Sequence, residues 1–132
     1  MSLTLNKIYE FDPVIYPYGI WIVIDNNPNL IPDLFDEYSG KPIESIDRDT
    51  KGLEAFTMPV IRKENPKFGV VIFFRSKESM TFELAAHESS HAAKYLFEHI
   101  GANVAAHETF EFLVGWIASC IGEIKSGNII IL

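Results

Sequence analysis

The sequence predicts an α+β fold, in which a small, mostly antiparallel sheet from the N-terminal half packs against two helices from the C-terminal half. Short apolar runs separated by Pro, Asn and Gly residues fill the first half, as in a series of strands and turns. Two long segments with helical start and stop signals fill the second half. This order favours helices on one face of a single sheet. A length of 132 residues with 48% hydrophobic content favours one domain, residues 1–132.

The first 56 residues predict two strands, a short helix and a loop. Lys7–Phe11 alternates between apolar and polar residues, and Tyr18–Asp25 is rich in β-branched and aromatic residues. The segment "LIPDLFDEYSG", residues 30–40, favours one short helix with a proline in its first turn and a glycine past its end. Residues 41–56 have no clear period and are expected to form a loop.

A β-hairpin is predicted next. The arms "FTMPVIRK", residues 56–63, and "FGVVIFFRS", residues 68–76, flank the turn sequence "ENPK". Pro59 predicts that the first arm is an edge strand, because proline cannot donate to a strand neighbour. Met58–Lys63 is therefore a candidate edge for pairing with an extended peptide. Val70–Phe74 is a continuous apolar run and predicts a core strand.

The first long helix is expected to begin after an N-cap at Ser79 or Thr81 and to run to about His99. Gly101 follows as a C-terminal stop.

The second helix is expected from about Val104 to Glu123. It contains the single cysteine, Cys120, which we interpret as a small buried apolar residue. One cysteine excludes a disulfide framework. The terminal "NIIIL" predicts a last strand.

The charge and the composition argue against two classes of partner, nucleic acids and membranes. The net charge is −7, and no block of Lys and Arg stands out, so nucleic acid is not expected as a partner. No apolar stretch reaches the roughly 20 residues that cross a bilayer, so membrane insertion is not expected. The N-terminal sequence "MSLTLNKIYEFDP" has no basic region followed by an apolar run, and we therefore expect a soluble, cytoplasmic protein without a signal peptide.

The stretch "AAHESSHAAKYL" in the first long helix contains a His-Glu-x-x-His motif. His87 and His91 are one helical turn apart, so that both imidazoles can reach one ion from one face of the helix. Glu88, beside the first ligand, can take a proton from a water molecule that the metal activates. The motif predicts a Zn²⁺ site with two histidine ligands and a general base.

A catalytic zinc site needs a further protein ligand. A third histidine of the metzincin type is excluded because Lys94 and Phe97 occupy the positions where that motif has Gly and His. The next helix offers two carboxylates, Glu108 and Glu111, three residues apart. Either can complete a His₂Glu set.

The stretches "ELAAHESSHAA" and "AHETFEFLVGWI" together resemble the gluzincin metallopeptidases, the thermolysin-type clan. They are similar in particular to small single-domain versions encoded by phages and prophages, and the likeness covers about Phe56 to Glu123. In those proteins the second helix carries Glu-x-x-x-aromatic followed by Leu-x-Gly-aromatic, which implies Glu108 as the third ligand. The spacing in thermolysin itself would select Glu111 instead, and the glutamate that is not a ligand would then orient a histidine.

Three further side chains belong to the same two helices. His99, near a helix C-terminus, is expected to be exposed or to cap the helix. His107 precedes Glu108 and, like Tyr95, is a candidate for stabilising an oxyanion, although no motif supports either residue.

The leading expectation is a zinc-dependent hydrolase. The resemblance implies a peptide or protein substrate, with His87, His91 and Glu108 as ligands and Glu88 as the base. The alternative is a metal-stabilised protein-binding module with little or no turnover, derived from a phage or mobile element. A third possibility is a protease whose second lobe comes from another subunit. The sequence does not give the oligomeric state.

Overall fold

The structure is a computed structural model that describes residues 8–13, 18–101 and 107–127, without the side chains of His107 and Glu108. The predicted last strand, residues 128–132, lies outside this part. The described strands are β1 (Ile8–Phe11), β2 (Gly19–Ile24), β3 (Phe35–Glu37), β4 (Ala55–Arg62) and β5 (Phe68–Phe74). The described α-helices are α1 (Leu30–Leu34), α2 (Ile46–Asp49), α3 (Phe82–Ile100) and α4 (His107–Ser126).

The five strands form one mixed sheet in the order β1-β2-β5-β4-β3. The β1–β2, β5–β4 and β4–β3 pairs are antiparallel, and β2 pairs with β5 in parallel. The predicted α+β fold, with a mostly antiparallel sheet from the first half and two helices from the second half, is confirmed.

Each face of the sheet has its own core, because successive residues of a strand point to opposite faces. In β2, Ile20 and Ile22 face α3 and α4, whereas Trp21 and Val23 face the segment 26–54 that connects β2 to β4. The predicted core strand is confirmed, since Val70 to Phe74 are all fully buried. The central strands are therefore covered on both faces, which explains why β5 is apolar throughout.

The guanidinium of Arg75 fixes the connecting segment 26–54 to the end of β5. It donates hydrogen bonds to the backbone carbonyls of Leu53 (2.5 Å), Asn26 (2.9 Å) and Thr50 (3.1 Å). One cation thus ties together carbonyls from three places in the connection.

Two glycines face each other at the start of the parallel pair, Gly19 on β2 and Gly69 on β5. A Cβ atom on either would lie 2.5 Å from a carbon of the Trp21 ring. The indole therefore lies across both backbones, and it contacts the Phe35 ring at a centroid distance of 4.9 Å. Glycine is required here so that the ring and the two strands can approach closely.

The region between β2 and β4 differs from the prediction. Helix α1 ends at Leu34, and Phe35–Glu37 forms β3 instead of continuing the helix toward Gly40. The predicted loop, residues 41–56, contains the short helix α2 and the first two residues of β4. Strand β3 owes its conformation to pairing with β4 rather than to its own sequence, and tertiary pairing overrides local preference in such short segments.

The prediction that Pro59 marks an edge strand is wrong for the second half of β4. Val60–Arg62 pairs with β3, so the outer edge of the sheet there is β3. The Arg62 N–H donates to the Lys67 carbonyl on the β5 side, whereas the Lys63 N–H donates to the Leu34 carbonyl on the β3 side. Since the direction alternates along a strand, the backbone N–H and C=O groups of even-numbered β4 residues point to β5, and those of odd-numbered residues point to β3. Pro59 is the next odd position and has no N–H to donate, which explains why the β3 pairing ends there.

The helix boundaries follow capping chemistry. Thr81 is the N-cap of α3, and its hydroxyl accepts the Leu84 N–H at 3.1 Å, as predicted for one of the two candidate caps. Gly101 ends the helix with φ of 74°, the left-handed conformation that glycine adopts without strain. Helix α4 extends to Ser126, three residues beyond the predicted end at Glu123. No helix among the described residues is long and apolar enough to cross a bilayer.

Candidate metal centre

The two histidines of the motif lie side by side on the exposed face of α3. Their Nε2 atoms are 3.1 Å apart, and their rings meet edge to face with centroids 4.6 Å apart. Helical spacing brings them together, because residues four apart differ by only about 40° around the axis. Both Nε2 atoms thus lie next to each other on one face of the helix.

This arrangement fits a divalent ion. Imidazole nitrogens bind zinc at about 2.0–2.1 Å, so that two of them at tetrahedral angles around one ion lie about 3.3 Å apart. The observed 3.1 Å between the Nε2 atoms of His87 and His91 is close to that value. The same distance also suits an N–H···N hydrogen bond between the two rings, which an ion would replace.

Glu88 points away from the exposed face and toward β4. It is only 4% exposed, and its Oε1 atom accepts a hydrogen bond from the Thr57 hydroxyl at 2.6 Å. The same hydroxyl lies 3.4 Å from the Glu88 carbonyl oxygen. The step of one residue, about 100° around the helix, turns Glu88 from the histidine face to the edge of α3 that packs on the sheet. The carboxylate is therefore buried and oriented, and it belongs to the residue that follows the first histidine of the pair.

The opposite face of α3 anchors the motif in the core. Ala92, Ala93 and Leu96 are buried between the helix, the sheet and α4, and Leu84 packs against the same cluster. An apolar stripe thus lies behind the motif, and it holds α3 against the sheet and α4. Tyr95, a predicted candidate for oxyanion stabilisation, is partly buried against this core.

Helices α3 and α4 form an antiparallel hairpin, and two contacts fix its register. The rings of Phe97 and Phe110 meet at 5.4 Å, and Lys125 Nζ donates to the Lys77 carbonyl oxygen at 2.5 Å. The first turns of α4 thus lie beside the last turns of α3. His91 precedes Phe97 by six residues, about 9 Å along the axis. Phe97 also lies about 80° around α3 from His87, so that the histidine pair is on the face next to the one that contacts α4 at this point.

The two candidate third ligands are in the first two turns of α4. Within the described part of the chain, which includes Glu111, no group of three His, Cys, Asp or Glu side chains is close enough to hold an ion. The side chain of Glu108 lies outside that part. The structure therefore brings together His87 and His91, and the third ligand stays a prediction.

His99 lies at the other end of α3 and joins an aromatic cluster that the sequence did not predict. Its ring centroid is 4.5 Å from that of Phe68, 4.9 Å from Tyr38 and 5.1 Å from Tyr18. Burial and the neighbouring Tyr18 raise the pKa of Tyr38 to about 12. His99 is exposed, as predicted, and at twelve residues from His87 it is about 18 Å away along the helix. It takes no part in the histidine pair.

Comparison of the chain with protein-family models, curated proteins and solved structures gave no match.

Sequence reasoning missed Thr57 as a residue of the site. Thr57 occupies a β4 position between Ala55 and Pro59, on the face that packs toward α3. A polar residue on the core-facing side of a strand needs a hydrogen-bond partner, and this alternation was a signal that could have identified it. Its partner, Glu88, is 31 residues away, which no local pattern reveals.

Proposed function

We propose that this chain is a zinc-dependent hydrolase that acts on a peptide or protein, with His87 and His91 holding the ion and Glu88 as the general base. One observation carries the proposal: two Nε2 atoms lie 3.1 Å apart on a helix in which the residue after the first histidine, Glu88, is a buried carboxylate with a defined orientation. A histidine pair for structural purposes needs no such carboxylate, whereas hydrolysis does.

The zinc ion, when bound, supplies Lewis acidity toward water and toward the substrate carbonyl. Glu88 accepts the proton of the attacking water on one carboxylate oxygen and delivers it to the leaving amine. Burial of Glu88 keeps bulk water from competing for that proton. Glu108 is our proposed third ligand, with Glu111 as the alternative, and both are carboxylates of the type that completes His₂Glu sites.

The open part of β4 supports a peptide as the substrate. Odd-numbered residues of β4 direct their backbone groups away from β5, and no strand of the described sheet pairs with Ala55–Pro59 on that side. An extended chain can add there by main-chain hydrogen bonds. This edge replaces Met58–Lys63, most of which β3 already covers. It also contains Thr57, so that an added chain would pass next to Glu88.

The test combines metal analysis with digestion of a broad peptide library, read by mass spectrometry. His91→Ala should lose most of the zinc, while His99→Ala, a histidine substitution on the same helix outside the pair, should retain it. Glu88→Gln should retain zinc and lose about 10² to 10⁴ in turnover. Glu98→Gln, an exposed glutamate of α3, is the matched control and should cleave like the wild type. Full zinc in His91→Ala would exclude the site, and undiminished cleavage by Glu88→Gln would exclude the base.

The second candidate is a metal-stabilised binding module with little turnover. One observation favours it: His87 and His91 are both exposed on the surface of α3. A catalytic ion works better in an enclosed site, where water is excluded. Absence of cleavage by zinc-loaded wild type, with library peptides still retained on the protein and released by a chelator, would select this candidate.

A further inference from the structure

We propose that Thr57 is a positioning residue, which holds the Glu88 carboxylate at the place where an extended substrate would pass. This inference rests on the proposed function. Its basis is the 2.6 Å hydrogen bond from Thr57 Oγ1 to Glu88 Oε1, which joins the sheet to the helix that carries the motif.

Thr57 can act on Glu88 through its side chain and on an added peptide through its backbone. Its side chain faces α3, and its backbone N–H and C=O face the open edge of the strand, as the odd-numbered register of β4 requires. A peptide that pairs with this edge would bond to the backbone of the residue whose hydroxyl holds the base. Thr57 thus sets the distance between the substrate main chain and Glu88.

The strand itself keeps Thr57 in place. Thr57 is paired with Ile72, which is fully buried in the centre of the sheet. The branched side chain of threonine has few rotamers in a strand, so that the hydroxyl direction follows the backbone. With Oε1 engaged, the carboxylate cannot rotate freely, and we assign the proton transfer to Oε2.

The test measures kcat and KM separately, on the library peptide that the wild type cleaves fastest. Thr57→Val keeps the shape of the side chain and removes the hydroxyl. We expect kcat to fall about tenfold to a hundredfold, because small displacements of a catalytic group have effects of that size, with KM changed less than about twofold. Thr57→Ser restores the hydroxyl and should recover kcat to within about threefold of the wild type.

The matched control is Thr50→Val. Thr50 also donates a 2.6 Å hydrogen bond, to the carbonyl of Ile46, but it lies in the connecting segment on the other face of the sheet. This control removes a hydroxyl that makes a hydrogen bond of the same length, 2.6 Å, and it should leave kcat unchanged. Zinc content and thermal unfolding are measured for every variant, and Thr57→Ala replaces Thr57→Val if the latter does not fold.

The outcomes separate this inference from the function on which it rests. The role of Thr57 would be overturned if Thr57→Val kept the wild-type kcat, or if Thr57→Val and Thr57→Ser lost kcat equally. In either case, cleavage by the wild type would still support the hydrolase. Equal loss in Thr57→Val and Thr50→Val would assign the effect to general destabilisation and overturn it as well. Absence of cleavage by zinc-loaded wild type would overturn both proposals together.

Discussion

Replacing Gly69 by alanine should strongly destabilise the fold, because the new methyl group has no space. Its Cβ would lie 2.0 Å from the Gly19 carbonyl oxygen and 2.5 Å from a carbon of the Trp21 ring, whereas ordinary contacts of a Cβ are 3.4–4 Å. The oxygen belongs to the backbone of the neighbouring parallel strand, which cannot rotate away. Relief requires that β2 and β5 separate by more than an ångström at this point.

The size of the effect follows from the packing. Extra methyl groups in a well-packed core destabilise by about 1–3 kcal/mol, and a clash with backbone belongs at the upper end, about 3 kcal/mol. The entropy of unfolding is about 2.1 cal/mol/K per residue, or about 0.28 kcal/mol/K for a chain of 132 residues. A loss of about 3 kcal/mol therefore lowers Tm by about 11 °C.

Thermal and urea unfolding followed by circular dichroism measure this loss. Gly19→Ala is the matched control: its Cβ would meet only atoms of the Trp21 side chain, the nearest at 2.5 Å, and a side chain can shift at lower cost than a strand. We expect Gly19→Ala to lose about half as much stability as Gly69→Ala. If Gly69→Ala lost less than about 1 kcal/mol, or less than Gly19→Ala, the argument from backbone contact would be refuted.

Three further predictions concern the third ligand, the titration of Cys120 and Tyr38, and the N-cap of α3. Glu108→Ala should weaken zinc binding more than Glu111→Ala, because the second-helix frame assigns the ligand to Glu108; a chelator titration of both variants gives the order, and the reverse order would transfer the role. Burial raises the pKa of Cys120 and of Tyr38 to about 12 each, so the folded chain holds both protons more tightly than the unfolded chain. The resulting stability is complete below about pH 8.5 and is lost as the pH rises toward 12, which urea titrations at several pH values measure; a rise in stability over that range would contradict it. Thr81→Ala removes the cap hydrogen bond and should lower the free energy of unfolding by about 1 kcal/mol in a urea titration, and an unchanged midpoint would mean that the cap contributes nothing.

Elements with a strong local signal were predicted from the sequence. The apolar run Val70–Phe74 is β5, and Thr81 and Gly101 bound α3, because caps and burial patterns act within a few residues. Strand β3 was not predicted. Its residues fit the exposed end of a helix equally well, and only the pairing with Val60–Arg62, about 25 residues further on, makes them a strand.

In the candidate site, too, the local arrangement was predicted and the long-range contact was not. His87 and His91 were expected on one face of a helix, and the structure places their Nε2 atoms 3.1 Å apart, because helical periodicity alone determines this neighbourhood. The contact between Thr57 and Glu88 depends on how α3 crosses β4, which is a property of the assembled sheet. Pro59 was assigned to an outer edge for the same reason: proline identifies a missing donor, but not which strand lies beside it.

The parallel pairing of β2 with β5 has a consequence for the order in which the chain assembles. Ile20 is paired with Val70, fifty residues later, whereas the β4–β5 and α3–α4 pairs join neighbours in the chain. Closing a long loop is entropically costly, so we expect the local hairpins to form before β2 docks. On the ribosome, β2 is synthesised well before β5, so the edge of β2 that faces away from β1 remains without its partner strand until β5 emerges. This interval is the one in which the nascent chain is most exposed to aggregation and most in need of a chaperone.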